Sequence, residues 1–340
     1  MDHELMRRLH GHKGGKFEKV SYRITLISKH EVARDTWVFR FEKPDGFSYR
    51  AGQHVRMSLL GSRTRDPAGN FRFWSFASAP HEPNLAFAIR MRSTPFKREM
   101  MGLPVGARVR IDMLKNAPHG AFALDDGTSP VVFLAGGIGV VPAYSMITEA
   151  LSQPGARRLT LFYSVRRVED APFLDELHVL AARESRFKFV PTLTEASRDM
   201  DWSGETGRIS LEMIRRHVPD LSSSQIYISG LKTMVESLHQ ALITSGIASS
   251  TIRTEEFGAF SPAHAGGKSP IRALSLTGLA LLAAIVAFHL LPIWLVTNSH
   301  PVQWLKSHLV SSGTLAIILV LVIGKMVAFL FLRKRDSALH

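Results

Sequence analysis

The 340-residue sequence predicts an antiparallel β-barrel, then a parallel-sheet α/β domain, then two transmembrane helices. Three observations carry this expectation. Short strands separated by turn residues fill the first part of the chain, strands alternate with helices from Pro130 onward, and two long apolar stretches close it. The boundaries that follow are a basic leader at 1–16, the barrel at 17–128, the α/β domain at 129–260, a linker at 261–270, and a hairpin with a basic tail at 271–340.

In the barrel, residues 21–27 and 36–41 are rich in β-branched and aromatic side chains, as strands are. Pro44-Asp45-Gly46 is a turn. Strand character returns in 51–59, in the alternating stretch 85–91 and in 108–112, and Asp125-Asp126-Gly127 marks the end. Short strands at this spacing suit a small closed sheet.

The second domain opens on its most informative stretch, Val131-Val132-Phe133-Leu134-Ala135-Gly136-Gly137-Ile138-Gly139-Val140-Val141-Pro142. Four consecutive apolar residues suit a strand buried on both faces, and Pro142 suits the first turn of a helix, where no amide hydrogen is missed. Between them three glycines let the backbone approach a ligand, and the helix that follows aims its unpaired N–H groups at an anion. This is a phosphate-binding arrangement. The alternation continues as helix 142–151, strand 159–164, helix 171–183, strand 226–229 and helix 232–245, which implies a parallel sheet with a ligand at the carboxyl ends of its strands.

Composition narrows the function. The formal charge is +13, with Lys and Arg spread along the chain and no nucleic-acid-binding signature beside them. Phosphate-rich cofactors, an acidic protein partner or an anionic membrane surface account for a basic face, and nucleic acid is not an expected partner. The absence of cysteine excludes disulfides, a thiolate nucleophile and a Cys-ligated iron–sulfur cluster in this chain. Residues 1–19 are polar and basic with no apolar core, so no signal peptide is expected.

Residues 273–296 and 314–332 would extend about 36 Å and 28 Å as helices, against a hydrocarbon core of roughly 30 Å. Lys268 and Arg272 precede the first span, Arg333, Lys334 and Arg335 follow the second, and the loop between carries Lys306 alone. The basic flanks place both termini and the large N-terminal part on the cytoplasmic side of the membrane. His289 lies in the first span and the second has no histidine, so a haem between them is not expected, nor is any other metal. Lys325 reads as a snorkelling cation.

A second site lies upstream in Arg72-Phe73-Trp74-Ser75, which resembles the flavin motif Arg-x-Tyr/Phe-Ser of the ferredoxin–NADP reductase family. Other segments agree in order. They are Ala51-Gly52-Gln53, Ala117-Pro118-His119-Gly120-Ala121-Phe122, Tyr163-Ser164-Val165-Arg166, Ser229-Gly230-Leu231-Lys232-Thr233-Met234 and Glu255-Glu256-Phe257-Gly258-Ala259-Phe260. The resemblance spans about residues 17–260.

The resemblance implies that Arg72 pairs with the pyrophosphate of FAD, that Trp74 lies against the isoalloxazine, and that Ser75 hydrogen-bonds near flavin N5. The Ser93-Thr94-Pro95-Phe96-Lys97 segment falls where the family wraps a helix N-terminus over the pyrophosphate, with Phe96 and Lys97 at the matching positions. Gly136, Gly137 and Gly139 would accept a nicotinamide dinucleotide, with Gly230 and Met234 beside them. Ser164 and Arg166 fall where the family holds the adenosine 2′-phosphate, which favours NADPH, since an acidic residue would serve the 2′-hydroxyl of NADH. Phe260 matches the terminal aromatic that covers the flavin. Three departures stand out: Trp74 replaces the usual tyrosine, Ser229 a cysteine, and Leu231 a proline.

The resulting expectation is a membrane-anchored, FAD-dependent NAD(P)H oxidoreductase. It would pass electrons to a separate carrier, a membrane redox protein or a quinone. A flavin-binding redox sensor or scaffold without turnover is the alternative.

Overall fold

The computed structural model describes residues 18–62, 66, 69–91, 94–115, 122–196 and 202–258. The expected leader, Ser93, the 117–121 stretch, Phe260, the linker and both apolar spans lie outside the described residues.

The first six strands are Glu18–Ala33 (β1), Thr36–Glu42 (β2), His54–Leu59 (β3), Phe71–Ser75 (β4), Asn84–Arg90 (β5) and Arg108–Lys115 (β6), with helix Pro95–Gly102 (α1) between the last two. They form one antiparallel sheet in the order β4-β3-β6-β1-β2-β5. β1 is shared: residues up to Thr25 pair with β6, those from Leu26 pair with β2, and register shifts at Leu26/Ser28 and Glu31/Ala33 interrupt its pairing with β2. Such irregularities bend a strand and let a sheet curl on itself. The curl brings the two edges together, where Ala77 N donates to Ala86 O at 2.8 Å. The expected strand at 21–27 is therefore the first half of a longer one, whose polar second half Ser28-Lys29-His30-Glu31 carries no apolar run. Inside, Phe39, Phe41, Phe76 and Phe87 are fully buried, each stabilising the fold by roughly 1.5–3 kcal/mol.

From Val131 the elements are Val131–Gly136 (β7), Val140–Ser152 (α2), Leu159–Val165 (β8), Leu174–Arg183 (α3), Phe187–Leu193 (β9), Glu205–Thr206 (β10), Leu211–His217 (α4), Gln225–Gly230 (β11), Lys232–Thr244 (α5) and Ile252–Glu256 (β12). The sheet order is β10-β9-β8-β7-β11-β12 and every pair is parallel. The chain leaves β7 toward β8 on one side and returns to β11 on the other, so the strand order reverses at β7, where such sheets bind ligands. Val131, Val132, Phe133, Leu134 and Ala135 are all buried, as a strand covered on both faces requires.

One expectation shifts, and one strand was not expected. The helix expected at 171–183 begins at Leu174, because Val168–Asp170 forms a 3₁₀ turn and Phe173 adopts φ +63°. That turn is held from the barrel, since the Asp170 carboxylate accepts from Arg34 and its carbonyl from Arg90. β9 carries Pro191, a residue that argues against an interior strand. It is tolerated because β10 pairs only with Thr192 and Leu193, leaving Pro191 beyond that short pairing.

The two halves share a seam of specific bonds. Arg34 Nη2 meets Asp170 Oδ1 at 2.5 Å, Ser145 Oγ donates to Ser78 O at 2.6 Å, and Tyr227 OH donates to Ala123 O at 3.0 Å. Gly52 explains the Ala51-Gly52-Gln53 motif. Its φ is +90°, and a Cβ there would lie 2.8 Å from Phe122 O and 2.9 Å from Met146 Sδ on α2, so only glycine fits the close approach.

Candidate active site

β4 presents its residues alternately. Arg72 and Trp74 point to one side and are buried, while Phe73 is exposed. The Arg72 guanidinium donates through Nη1 to Gly69 O and Phe71 O, both at 2.7 Å, and through Nη2 to Asp66 Oδ2 at 2.7 Å. It also lies 4.9 Å from the centre of the Phe96 ring, a cation–π distance. Phe96 belongs to the first turn of α1, which Thr94 caps by accepting from Lys97 N at 3.3 Å and which Pro95 opens. Phe96 N donates to the same Asp66 Oδ2, at 2.9 Å. A guanidinium and a helix N-terminal amide thus converge on one anionic oxygen. Lys97 Nζ donates to Arg90 O.

This cluster fits an FAD pyrophosphate by the chemistry of its donors, since charged forks and helix N-termini both bind phosphate oxygens. Trp74 adds a second indication. It is 7% exposed, its ring centre is 6.3 Å from that of Phe96, and its Nε1–H is buried without a hydrogen-bond partner among the described residues. A buried donor without an acceptor is costly in a folded protein, and a ligand oxygen satisfies it.

Ser75, at the end of β4, is brought against the second domain. Its hydroxyl donates to Glu255 Oε1 at 3.3 Å, with Oε2 at 3.4 Å, and His54 Nδ1 lies 3.3 Å from Glu255 Oε1. Glu255 stands on β12 opposite Ser229 of β11.

The glycine turn runs from β7 into α2 through a 3₁₀ turn at Gly137–Gly139. A Cβ on Gly139 would collide with Ser229 O, and one on Gly136 with Met234 Sδ. Gly230 packs on the same place, its own would-be Cβ lying 3.4 Å from Gly136 Cα. Ser229, in the cysteine position, is buried and donates to Gly139 O at 2.7 Å. Leu231 has φ −62°, the angle a proline ring holds, so the turn keeps its shape without the ring. These close approaches leave bare backbone at the switch point, which fits a dinucleotide phosphate. Ser164 pairs with Gly136 across β8 and β7. Arg166 is 75% exposed and lies beside Glu195, Nε to Oε1 3.7 Å.

The fold therefore brings together Arg72, Trp74, Phe96 and Lys97 in one group and Gly136, Gly137, Gly139, Gly230 and Met234 in another. Ser75 joins the barrel to the second domain through Glu255. Ser164 stands near the end of β8 and Arg166 just past it. Sequence reasoning passed over Asp66, His54, Arg90, Glu195 and the role of Glu255. Glu255 had a signal in the closing Glu-Glu-Phe segment, and Arg90 had none. The Arg90 guanidinium comes from β5 to within 3.8 Å of where a Gly137 Cβ would stand, placing a barrel cation at the glycine turn.

Comparison with known proteins agrees with this geometry. Residues 133–240 match the oxidoreductase NAD-binding domain family. Ferredoxin–NADP reductase B of Sorangium cellulosum is 32% identical over 211 residues, covering 57% of this chain and 80% of that protein. The electron transfer component of xylene/toluene monooxygenase from Pseudomonas putida is 27% identical over 190 residues, 55% of this chain and 53% of the relative. The chain thus spans only about half the length of the latter. The crystal structure of an Amycolatopsis cytochrome P450 reductase shares the fold, with a TM-score of 0.61 at 23% identity over 72% of each chain. The chain belongs to the ferredoxin reductase-like family of FAD- and NAD(P)-binding oxidoreductases, and it is an FAD-dependent NAD(P)H oxidoreductase.

Proposed function

We propose that this protein takes hydride from a reduced nicotinamide dinucleotide onto FAD and passes the electrons to a separate acceptor. The single observation that carries this reading is the meeting of Ser75 and Glu255, which ties the end of the flavin-motif strand to the sheet that holds the glycine turn. FAD, when bound, supplies the hydride-accepting and electron-splitting chemistry. Arg72 and the first turn of α1 would neutralise its pyrophosphate, and Trp74 would orient its ring system. Ser75 Oγ–H and Glu255 would hold a proton beside the reacting edge, and the bare glycine turn would let the nicotinamide arm lie close.

The acceptor is a ferredoxin-like protein, a membrane redox protein or a quinone. The two relatives named above, a ferredoxin–NADP reductase and a monooxygenase electron transfer component, support a protein acceptor. These 340 residues contain no cysteine, so any Cys-ligated cluster on the electron route lies outside them.

Membrane attachment is part of the same proposal. It rests on the apolar stretches 273–296 and 314–332 and on their basic flanks, which put the catalytic domains on the cytoplasmic side. Among the described residues no helix is long and apolar enough to cross a membrane. Ser164 and Arg166 support NADPH, whereas Glu195 stands between Arg166 and Arg167 and weighs the other way.

The test is anaerobic. The full chain, extracted in mild detergent, is expected to be yellow and to bleach when NADH or NADPH is added, then to recolour with ferredoxin, a quinone or ferric chelate. A well-folded preparation that takes up no FAD would sink the proposal. A bound flavin that neither nucleotide bleaches would favour the sensor reading. Release from membranes by detergent alone, not by salt or alkali, is the expected result for the hairpin.

A further inference from the structure

We infer that Glu195 selects the dinucleotide, favouring NADH over NADPH; this rests on the reductase reading above and concerns the adenosine end of the same site.

The position comes first. β8 and β9 run side by side in parallel, with Ser164 opposite Thr192 and Val165 opposite Leu193. The pairing continues past their ends, where Thr194 N donates to Val165 O at 2.9 Å and Glu195 N donates to Arg166 O at 3.0 Å. Glu195 follows β9, and its main chain is held beside Arg166, which directly follows β8, the strand next to the one that carries the glycine turn. In sheets of this kind that is where the adenosine ribose is read. An acidic residue accepts the 2′-hydroxyl of NADH, and an arginine receives the 2′-phosphate of NADPH.

The charges come second. Arg166 Nε lies 3.7 Å from one Glu195 carboxylate oxygen and Arg167 Nε lies 3.4 Å from the other. Arg167 also approaches Glu169, at 3.8 Å, and Glu169 in turn meets Arg34 at 3.2 Å. The two arginines that would greet a phosphate are thus matched by two carboxylates. The ion pairs themselves are exposed and weak, Arg166 at 75% and Glu195 at 47%, so either arginine is free to turn. The turn of an arginine does not move the Glu195 backbone, which its bond to Arg166 O anchors, so its carboxylate stays within reach of the same place. A phosphate bound there would carry its negative charge next to that of Glu195, whereas a ribose hydroxyl would donate a hydrogen bond to it. Like charges at such range cost on the order of tenfold or more in affinity.

The experiment uses the full chain with FAD in detergent and two readouts. The first is the perturbation of flavin absorbance as NAD⁺ or NADP⁺ is titrated into the oxidised protein. The second is the rate of flavin bleaching at limiting NADH or NADPH. The wild-type protein is expected to favour the unphosphorylated nucleotide by about tenfold in both. Glu195→Gln is expected to close most of that gap by tightening NADP⁺, and Glu195→Arg to reverse it, with FAD content unchanged as the check on folding. A wild-type preference for NADP⁺, or a ratio that Glu195→Gln leaves within twofold, overturns the inference. If the titrations discriminate as expected but neither nucleotide bleaches the flavin, the reductase reading falls and the assignment of Glu195 as a binding selector stands.

Discussion

Ser75 and Glu255 are 180 positions apart in the chain, and their side chains meet at 3.3 Å across the boundary between the two domains. The hydroxyl is buried and has Glu255 as its acceptor, so removing it leaves the Glu255 carboxylate with its contact to His54. Ser75→Ala is expected to bind FAD normally and to slow flavin reduction by about 10²-fold, the usual worth of a positioned proton-handling group. Stopped-flow absorbance at the flavin band measures it. A variant reduced at the wild-type rate would show that the contact only joins the domains.

Gly139 leaves no room for a side chain. A Cβ would run into the Ser229 carbonyl, which is main chain on a central strand and has nowhere to move. Gly139→Ala is expected to destabilise the protein by roughly 1–3 kcal/mol and to weaken dinucleotide binding while the flavin stays in place. Thermal unfolding and nucleotide titration of the same preparation separate the two losses.

Asp66 holds the donors on which a pyrophosphate depends. Its carboxylate takes hydrogen bonds from Arg72 and from Phe96 N, so a cofactor phosphate has to share or displace it. Asp66→Asn removes the competing charge and is expected to tighten FAD by about three- to tenfold, which corresponds to roughly 0.7–1.4 kcal/mol. Fluorescence of released flavin on dilution reports the change. Weaker binding in the variant would mean that Asp66 chiefly aims Arg72.

Glu205 gives a pH dependence away from the chemistry. The hydrogen bond from His217, then that from Arg216, holds its carboxyl below the ordinary range. A group with a depressed folded-state pKa contributes stability that is present above its unfolded pKa and is lost as pH falls through the folded one. The corner formed by β10 and α4 is therefore expected to loosen as pH drops through and below the ordinary carboxylate range. Hydrogen exchange of residues 205–217 should rise there in the wild-type protein, and Glu205→Gln should show the fast exchange already at neutral pH.

Local patterns in the sequence foretold the elements that carry the candidate site where those residues are neighbours along the chain. Val131 to Gly139 announced a buried strand and a phosphate turn because burial on both faces and close backbone approach leave a continuous apolar run and glycines. The Arg72–Ser75 motif was legible as a strand whose alternate residues Arg72 and Trp74 are buried together. Asp66, Arg90 and Glu195 were not legible. Each acts through a partner on another element, and no period or turn signal marks a surface-type residue that tertiary packing puts to use. The strand β9 had no expectation attached to it, and a tertiary anchor from Arg34 delayed the start of α3. The apolar spans were legible as candidates for membrane helices from length and hydropathy alone.

The Gly52 approach to Phe122 and Met146, together with the Arg34–Asp170 pair, has an evolutionary corollary. Halves of this enzyme are not interchangeable cassettes. A chimera joining its barrel to the nucleotide domain of a cousin would inherit mismatched teeth at that seam, and the distance from donor ring to acceptor ring would drift even if each piece retained its own cofactor. Shuffling experiments on this lineage should therefore trade the seam residues along with the domain they face.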